Sequence, residues 1–255
     1  MIKDDERRGL LQFVPPNYLP VNVLLIDSEE FLSDLREIFP AAQIFLLNEP
    51  NLIEKLPETP KIFDLIIAKN VLTVGENFYS MLMAFNHLLK DSGALLTQFY
   101  NVRFVKVLEN LRRGRFFNNE QRLWAKADVV KLLDDAIYKE IHFLPGEREF
   151  SAGDWEKFGF ENFNDDLTTK IWLVKACKCT AEVVALKSLF APEVRADLSR
   201  LLHRIEYDID AEENFLKLKE LCEREGIFGE YLSDFIDQVV VHEAAKDFIR
   251  GRLMI

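Results

Sequence analysis

Residues 61–115 constrain the fold of this chain most, because they predict a strand, a helix, a second strand and a basic helix in direct succession. Residues 63–68 form a short run that is apolar apart from Asp64, which is typical of a strand buried on both faces of a parallel sheet. Residues 78–89 repeat apolar side chains at helical spacing, and residues 91–93 are predicted to end that helix, with Gly93 as its left-handed C-cap. Residues 94–99 form the next apolar strand, so the stretch is a right-handed βαβ unit.

The residues on either side extend the same pattern. Apolar runs predict strands at residues 21–26, 42–47, 141–144 and 171–177, and helical spacing predicts helices at residues 7–13, 28–39, 104–111 and 127–136. Strands and helices that alternate in this way predict a doubly wound, Rossmann-like α/β sheet.

The C-terminal third differs in kind. Residues 180–255 show no strand pattern, and their apolar residues recur at helical spacing in several successive stretches. We therefore expect two domains: an α/β domain over residues 1–179 and a small helical bundle of three or four helices over residues 180–255.

Charge and composition exclude some classes of function. The net charge of −11 argues against non-specific nucleic-acid binding, which requires a basic surface. No signal peptide and no apolar segment of about 20 residues is visible, so we expect a cytoplasmic protein without a membrane span. Three cysteines fit a reducing compartment. Cys177 and Cys179 would share one strand face, but no further Cys/His pair has zinc spacing, and we expect no metal.

Three segments carry a resemblance to a known family: FDLIIAKNVL, LLKDSGALL and YNVRF. They resemble the second half of a class I S-adenosylmethionine-dependent methyltransferase domain, in the branch associated with bacterial glycan and surface-polysaccharide genes. That branch has roughly FDxIxxxxVLEHL, LLKPGG and PNVRH at these places. The resemblance covers about residues 7–178, with gaps.

The resemblance implies S-adenosylmethionine as cofactor and indicates which residues would hold it. The family's first strand runs into a glycine-rich turn, and the glycines let the backbone approach the methionine part of the cofactor. Here residues 24–31, LLIDSEEF, contain no glycine. Asp27 ends the first strand, Glu49 stands where an acid would accept the ribose hydroxyls, and Asn70 follows FDLIIAK; these three are the candidate cofactor-binding residues. An exposed loop glutamate is the alternative for Glu49.

The region between the second strand and FDLII is short. The family has a further helix and strand there, but residues 51–61 include Pro57 and Pro60 and cannot form both. We therefore expect the chain to have lost a helix-strand unit. An alternative register makes VNVLLID the second strand and deletes the glycine-turn unit outright.

Four arginines are candidates for substrate or anion binding: Arg103, Arg112, Arg115 and Arg122. A solvated helix C-terminus is the alternative for Arg112 and Arg115, since the helix dipole favours cations there. Arg122 lies in residues 120–126, which echo a family segment like DRTHLRFF without its Asp and His. The missing His removes the natural proton-transfer residue, so no catalytic residue is identified.

The helical third contains His203, Glu206, His242 and Glu243, which invite comparison with a metal site. A carboxylate metal site in a bundle needs more inward-facing carboxylates than the pattern offers. We therefore expect surface or capping roles for these side chains.

Three hypotheses about function follow. The first is a methyltransferase-like protein with lost or weakened S-adenosylmethionine binding, which acts as a binding or assembly module in a bacterial glycan-related pathway; its C-terminal helices would contact a protein partner or a second copy. The alternative is an active methyltransferase on a sugar or glycan precursor. A third is a nucleotide or sugar-phosphate binder that uses the arginines at the carboxyl ends of the strands.

Overall fold

The computed structural model describes residues 9–15, 18–48, 63–73, 77–116, 122–149, 165–178 and 189–254. The chain divides into two compact units. The first comprises Met1–Ala125 and Asp135–Lys178, and the second comprises Lys126–Asp134 and Cys179–Ile255. A short segment from the middle of the chain thus groups with the C-terminal helices.

The first unit is built on a mixed sheet. Its strands are β1 Asn22–Ile26, β2 Gln43–Leu47, β3 Phe63–Ala68, β4 Leu89–Asn101, β5 Leu123–Trp124, β6 Tyr138–Arg148 and β7 Thr169–Lys178. The order is β2-β1-β3-β4-β7-β6, with β5 alongside β4. Strands β1 to β4 pair in parallel, whereas β7 runs antiparallel to both β4 and β6. This sheet confirms the expected Rossmann-like α/β architecture.

Helices follow the strands as the apolar spacing predicts. They are two short 3-10 helices, Gly9–Phe13 and Glu29–Phe31, and the α-helices α1 Leu32–Ile38, α2 Phe78–Leu88, α3 Val105–Arg112 and α4 Lys126–Asp135. One face of the sheet packs against the first 3-10 helix and α1, and its buried residues are Leu10, Leu11, Val14, Val23, Leu25, Phe31, Leu35, Phe39, Leu65, Ile67, Ala94, Leu96 and Leu173. Alternate residues of the same strands point to the opposite face.

The prediction that Gly93 is a helix C-cap is wrong. Helix α2 ends at Leu88, and residues 91–93 lie inside strand β4 rather than in a turn. Phe63 pairs with Leu89 and Leu65 with Ala94, so the residues between Leu89 and Ala94 bulge out of register. A Cβ on Gly93 would lie 2.9 Å from the carbonyl oxygen of Lys90 and 3.0 Å from that of Phe63. The glycine is therefore required by close backbone approach and not by a left-handed cap.

The second unit is helical, as predicted. Its helices are α5 Pro192–Glu206, α6 Ala211–Glu225, α7 Gly229–Val239 and α8 Glu243–Leu253. Their apolar stripes meet in one core, made of Leu198, Leu201, Leu202, Ile205, Phe215, Leu218, Leu221, Ile227, Tyr231, Leu232, Phe235, Ile236, Val239, Val240 and Ile249. Among the helices of the described segments, none has the length and apolar character needed to cross a membrane.

One further prediction, the shortened region of residues 51–61, falls on residues outside the described ranges. Strand β2 is the edge strand of the sheet that the structure describes. The loss of a helix-strand unit beside it stays a prediction.

Candidate functional site

A cavity of about 680 Å³ opens at the carboxyl ends of the parallel strands. This edge is where open α/β sheets place their ligands, because the helices that follow the strands leave a crevice there. The lining comes from both 3-10 helices, α1, the residues after β3, and strands β4, β6 and β7: Gly9, Leu10, Glu30, Phe31, Asp34, Lys69, Asn70, Thr73, Gln98, Tyr100, Gly146, Glu147, Ile171 and Leu173. All of these residues belong to the first unit.

The turn after β1 is closed by a side chain. Asp27 has a φ of 46°, in the left-handed region that usually favours glycine. Ser28 is fully buried, and its hydroxyl donates to the carbonyl oxygen of Ile26 at 2.8 Å and accepts from the backbone N–H of Lys69 at 3.1 Å. The turn is thereby fixed between β1 and β3.

An ion pair spans the same two strand ends. The Lys69 ammonium lies 2.8 Å from the Glu30 carboxylate, and both side chains line the cavity. The two side chains are 33% and 47% exposed, so solvent screens the pair and it contributes little to stability. Within the cavity lining, the pair neutralises the Lys69 ammonium.

Two side-chain amides face the cavity without protein partners. Gln98 is only 6% exposed, and its side chain makes no hydrogen bond to any described residue. The side-chain amide of Asn70 likewise has no hydrogen bond within the described residues, although its backbone carbonyl accepts from Thr73. Gln98 and Tyr100 follow Leu96 on the same face of β4, where the apolar core gives way to the polar lining.

The three candidate cofactor-binding residues differ in their position relative to the cavity. Asn70 lines the cavity, as the resemblance implies. Asp27 is exposed at the end of β1, and its backbone N–H donates to the carbonyl oxygen of Leu47 at 2.9 Å. Glu49 lies outside the described residues. Only one of the three is therefore seen to line the cavity, and their cofactor role stays a prediction.

The four candidate anion-binding arginines do not line the cavity. Arg103 lies 3.5 Å from the buried carboxylate of Asp166. Arg112 and Arg115 are exposed at the C-terminal end of α3, in the position that a solvated helix terminus predicts. The guanidinium of Arg122 stacks on the rings of Phe78 and Trp124, at 5.0 and 4.5 Å from the ring centroids.

Asn101 connects two strands beside the cavity, and sequence patterns missed it. Its side-chain amide donates to the carbonyl oxygens of Asp166 and Thr169 at 2.7 and 2.8 Å, and its Oδ1 accepts from the backbone N–H of Arg103. Asn101 therefore fixes the end of β4 against the start of β7. A polar residue directly after an apolar strand was the available signal.

Asp64 has a comparable role at the opposite edge of the sheet. Its carboxylate accepts from the backbone N–H groups of Val21 and Asn22 and from the Lys90 ammonium. Burial works to raise the Asp64 pKa, but these hydrogen bonds outweigh it and lower the pKa. An acid inside an otherwise apolar strand was the signal in the sequence.

The histidines and Glu206 of the second unit form a buried cluster. Oε1 of Glu206 accepts from the backbone N–H groups of Val241 and His242 at 2.8 and 2.9 Å and contacts Nδ1 of His242 at 2.5 Å, while Oε2 contacts Nδ1 of His203 at 3.1 Å. A capping role is thus found, but the expectation of a surface position is wrong for Glu206 and His242, which are buried. Glu243 is exposed and pairs with Lys246. In the part of the chain that is described, no group of three or more His, Cys, Asp or Glu side chains is arranged to hold a metal ion.

Similar proteins are found among solved structures and not among family models or curated proteins. The sequence matches no family model, and no curated protein matches it. A SAM-dependent methyltransferase from Archaeoglobus fulgidus aligns at 14% identity over 66% of this chain and 91% of that chain, with a TM-score of 0.49. A SAM-dependent methyltransferase from Thermotoga maritima, described as a possible histamine N-methyltransferase, aligns at 13% identity over 66% and 85%, with a TM-score of 0.41.

A third solved structure is the S-adenosylmethionine-dependent methyltransferase SibL in its apo form. It aligns at 10% identity over 67% of this chain and 54% of that chain, with a TM-score of 0.45. At these identities and TM-scores, the likeness assigns no activity to this chain.

Proposed function

We propose that this chain is a methyltransferase-like protein in which S-adenosylmethionine binding is lost or weakened, and that it acts as a binding or assembly module. The proposal places it in the cytoplasm of a bacterium, in a glycan-related pathway, because of the segments FDLIIAKNVL, LLKDSGALL and YNVRF. The C-terminal helices would supply the contact with a protein partner or a second copy. Exposed apolar side chains support this contact: Leu216 on α6 and Phe248 on α8 are 63% and 52% exposed.

The observation that carries the proposal is the closed turn after β1. A cofactor whose methionine part approaches the backbone needs small residues in this turn. Here Ser28 is buried and hydrogen-bonded to both neighbouring strands, and Glu30 is held by Lys69 across the mouth of the same crevice. Binding of the cofactor in the usual place would have to break these contacts, and each contact broken lowers the affinity.

The second candidate is an active methyltransferase on a sugar or glycan precursor. It is favoured by the cavity itself, which has the size of a small-molecule site and presents the unpaired side-chain amides of Asn70 and Gln98. No described residue in the lining is a histidine, so proton transfer would fall to Tyr100 or to a carboxylate such as Asp34.

Thermal unfolding with and without S-adenosylmethionine separates the two candidates. A ligand at a hundredfold excess over its dissociation constant stabilises the folded state by about 2.7 kcal/mol, which raises the melting temperature by several degrees. We expect no rise for the natural protein at millimolar cofactor. The variant Glu30→Ala, which frees Lys69 and shortens the side chain at the crevice, should gain a measurable rise if the closed turn is the obstacle.

The matched control is Glu29→Ala, which removes the same charge from the neighbouring exposed position outside the cavity lining. A clear rise in the melting temperature of the natural protein, abolished by Gln98→Leu or Asn70→Leu, would refute the loss of cofactor binding and favour the active enzyme.

A further inference from the structure

The charges of the side chains that line the cavity indicate the sign of the charge on the ligand. Among the described residues of the lining, three carry carboxylates, Glu30, Asp34 and Glu147, and one carries an ammonium, Lys69. Lys69 pairs with Glu30 at 2.8 Å, and Glu147 accepts from Lys170 at 2.8 Å. Among the described residues, Asp34 contacts only the hydroxyl of Ser33, at 3.4 Å. After the internal pairs are formed, the charge that the described part of the lining leaves for a ligand is therefore negative.

A second, independent observation is the amide of Gln98, which lines the cavity. A carboxamide offers two donors and an acceptor. Gln98 is 94% buried as a residue, and its side chain has no hydrogen bond to a described residue. The amide is therefore open to a bound molecule that supplies both an acceptor and a donor, as a hydroxyl or amide group does.

We propose that this cavity binds a small cationic ligand, whose protonated nitrogen faces Asp34 and whose neighbouring hydroxyl or amide groups bind the Gln98 carboxamide. This inference rests on the proposed function, since it names the ligand class of the same site. Asn70 and Tyr100 add a second amide and a phenol to the lining, which suits a ligand with several hydroxyl or amide groups.

The same lining disfavours a phosphate or other anion. An anion in this cavity would meet the unpaired carboxylate of Asp34 and would have to draw Lys69 away from Glu30. Arg103, Arg112, Arg115 and Arg122 do not line the cavity and cannot compensate. The hypothesis of a nucleotide or sugar-phosphate binder therefore has no support from this site.

Three probes with one scaffold test the charge preference: glucosamine, glucose and glucose 6-phosphate, which carry an ammonium, no charge and a phosphate. We expect binding by ligand-observed NMR at millimolar concentrations in that order of affinity. Because Asp34 is partly exposed, the advantage of glucosamine over glucose should be about threefold to fivefold. The variant Asp34→Asn should remove this advantage, and Glu29→Gln, which removes a charge outside the lining, should keep it.

Gln98→Leu supplies a readout that a merely structural role would not give. The substitution removes the amide that lines the cavity and keeps the volume, so the unliganded variant should melt at about the temperature of the natural protein while binding all three probes more weakly. A lower melting temperature would show that the amide has an internal structural role and would overturn its assignment to the ligand.

The outcomes distinguish this inference from the proposed function. Absence of glucosamine binding, or glucose 6-phosphate binding more tightly than glucosamine, overturns the ligand class whatever S-adenosylmethionine does. Binding of S-adenosylmethionine overturns the proposed loss of the cofactor. If glucosamine then still binds in the order expected and depends on Asp34, the ligand class is retained for an active enzyme.

Discussion

Single residues decide how closely two segments of backbone can approach in this protein. Gly93 lies where β4 bulges beside β3, and two of the three close contacts that a Cβ would make there are with backbone oxygens that cannot rotate away. The turn after β1 shows the opposite situation, since Asp27 adopts a left-handed conformation without being glycine and Ser28 fills the space beside it. The short polar side chain of aspartate makes that conformation tolerable.

Gly93→Ala should destabilise the first unit by about 1–3 kcal/mol, the usual cost of overpacking. Its Cβ would lie 2.9 and 3.0 Å from two backbone oxygens. The matched control is Gly251→Ala in helix α8, where a Cβ meets nothing within 4 Å. There the substitution should stabilise the protein by about 0.5–1 kcal/mol, because alanine is the better helix former. Urea unfolding measures both, and equal stability of Gly93→Ala and the natural protein would contradict the close-approach explanation.

At the scale of elements, a carboxylate from another helix caps the N-terminus of helix α8. Its N-cap residue His242 makes no side-chain cap, and Glu206 of α5 instead accepts the backbone N–H groups of Val241 and His242. A carboxylate at this end also complements the helix dipole. Burial works to raise the Glu206 pKa, but hydrogen bonds from His203 and His242 outweigh it and lower the pKa from 4.5 to about 2.

This shift makes the stability of the bundle depend on pH. Because the folded-state pKa of Glu206 is lowered, its contribution is fully present above about pH 4.5 and is lost as the pH falls towards 2. The shift corresponds to about 3 kcal/mol. Glu206→Gln should therefore lower the free energy of unfolding at pH 7 by about that amount, and the difference from the natural protein should shrink as the pH falls.

Urea unfolding at pH 7 and pH 3 measures this effect as a difference in midpoint. The unfolding is monitored by a signal from the helical unit. Glu243→Gln is the matched control, since it removes the same charge nearby from an exposed side chain. A gap between Glu206→Gln and the natural protein that stays constant with pH would rule out the carboxylate as its source.

The sequence predicts helices and strands better than it predicts contacts between side chains, and the reason is physical. Apolar runs such as residues 63–68 predict a strand correctly because burial on both faces leaves a local signature. The sequence predicts a turn at residues 91–93, because the residue types Asp, Ser and Gly do not distinguish a turn from a bulge. His203 and Glu206 share one helix, but the contact of Glu206 with His242 depends on tertiary packing. Gln98 gave no signal at all, because its isolation appears only once its neighbours are known.

At the scale of the whole molecule, the two units are interleaved along the chain. Lys126–Asp134 groups with the C-terminal helices, although it lies in sequence between β5 and β6 of the sheet. Within that unit, Asp134 forms an ion pair with Arg195 of α5 at 2.8 Å. Val129, Val130 and Leu133 on the same helix are buried. A cut after residue 178 therefore does not separate two self-sufficient pieces.

Truncation after Lys178 should lower the melting temperature and increase binding of an apolar dye, because the second unit's partners for helix α4 are removed. Removal of Met254 and Ile255 alone is the control, since Met254 is 88% exposed and its loss should change neither signal. Differential scanning calorimetry and dye fluorescence on the two truncated proteins measure the effect. A fragment of residues 1–178 that melts at the temperature of the full chain without binding the dye would show that the sheet is complete without the C-terminal helices.

The interleaving also has a consequence during synthesis on the ribosome. Helix α4 is translated about 60 residues before α5 begins, which at about 5–20 residues per second leaves an interval of about 3–12 s. During that interval the nascent chain carries helix α4 while Arg195, the ion-pair partner of its Asp134, has not yet been made. Strands β6 and β7 emerge in the same interval, so the sheet can close before the second unit exists. Slowing translation between residues 135 and 192 would lengthen the time that α4 spends without this partner.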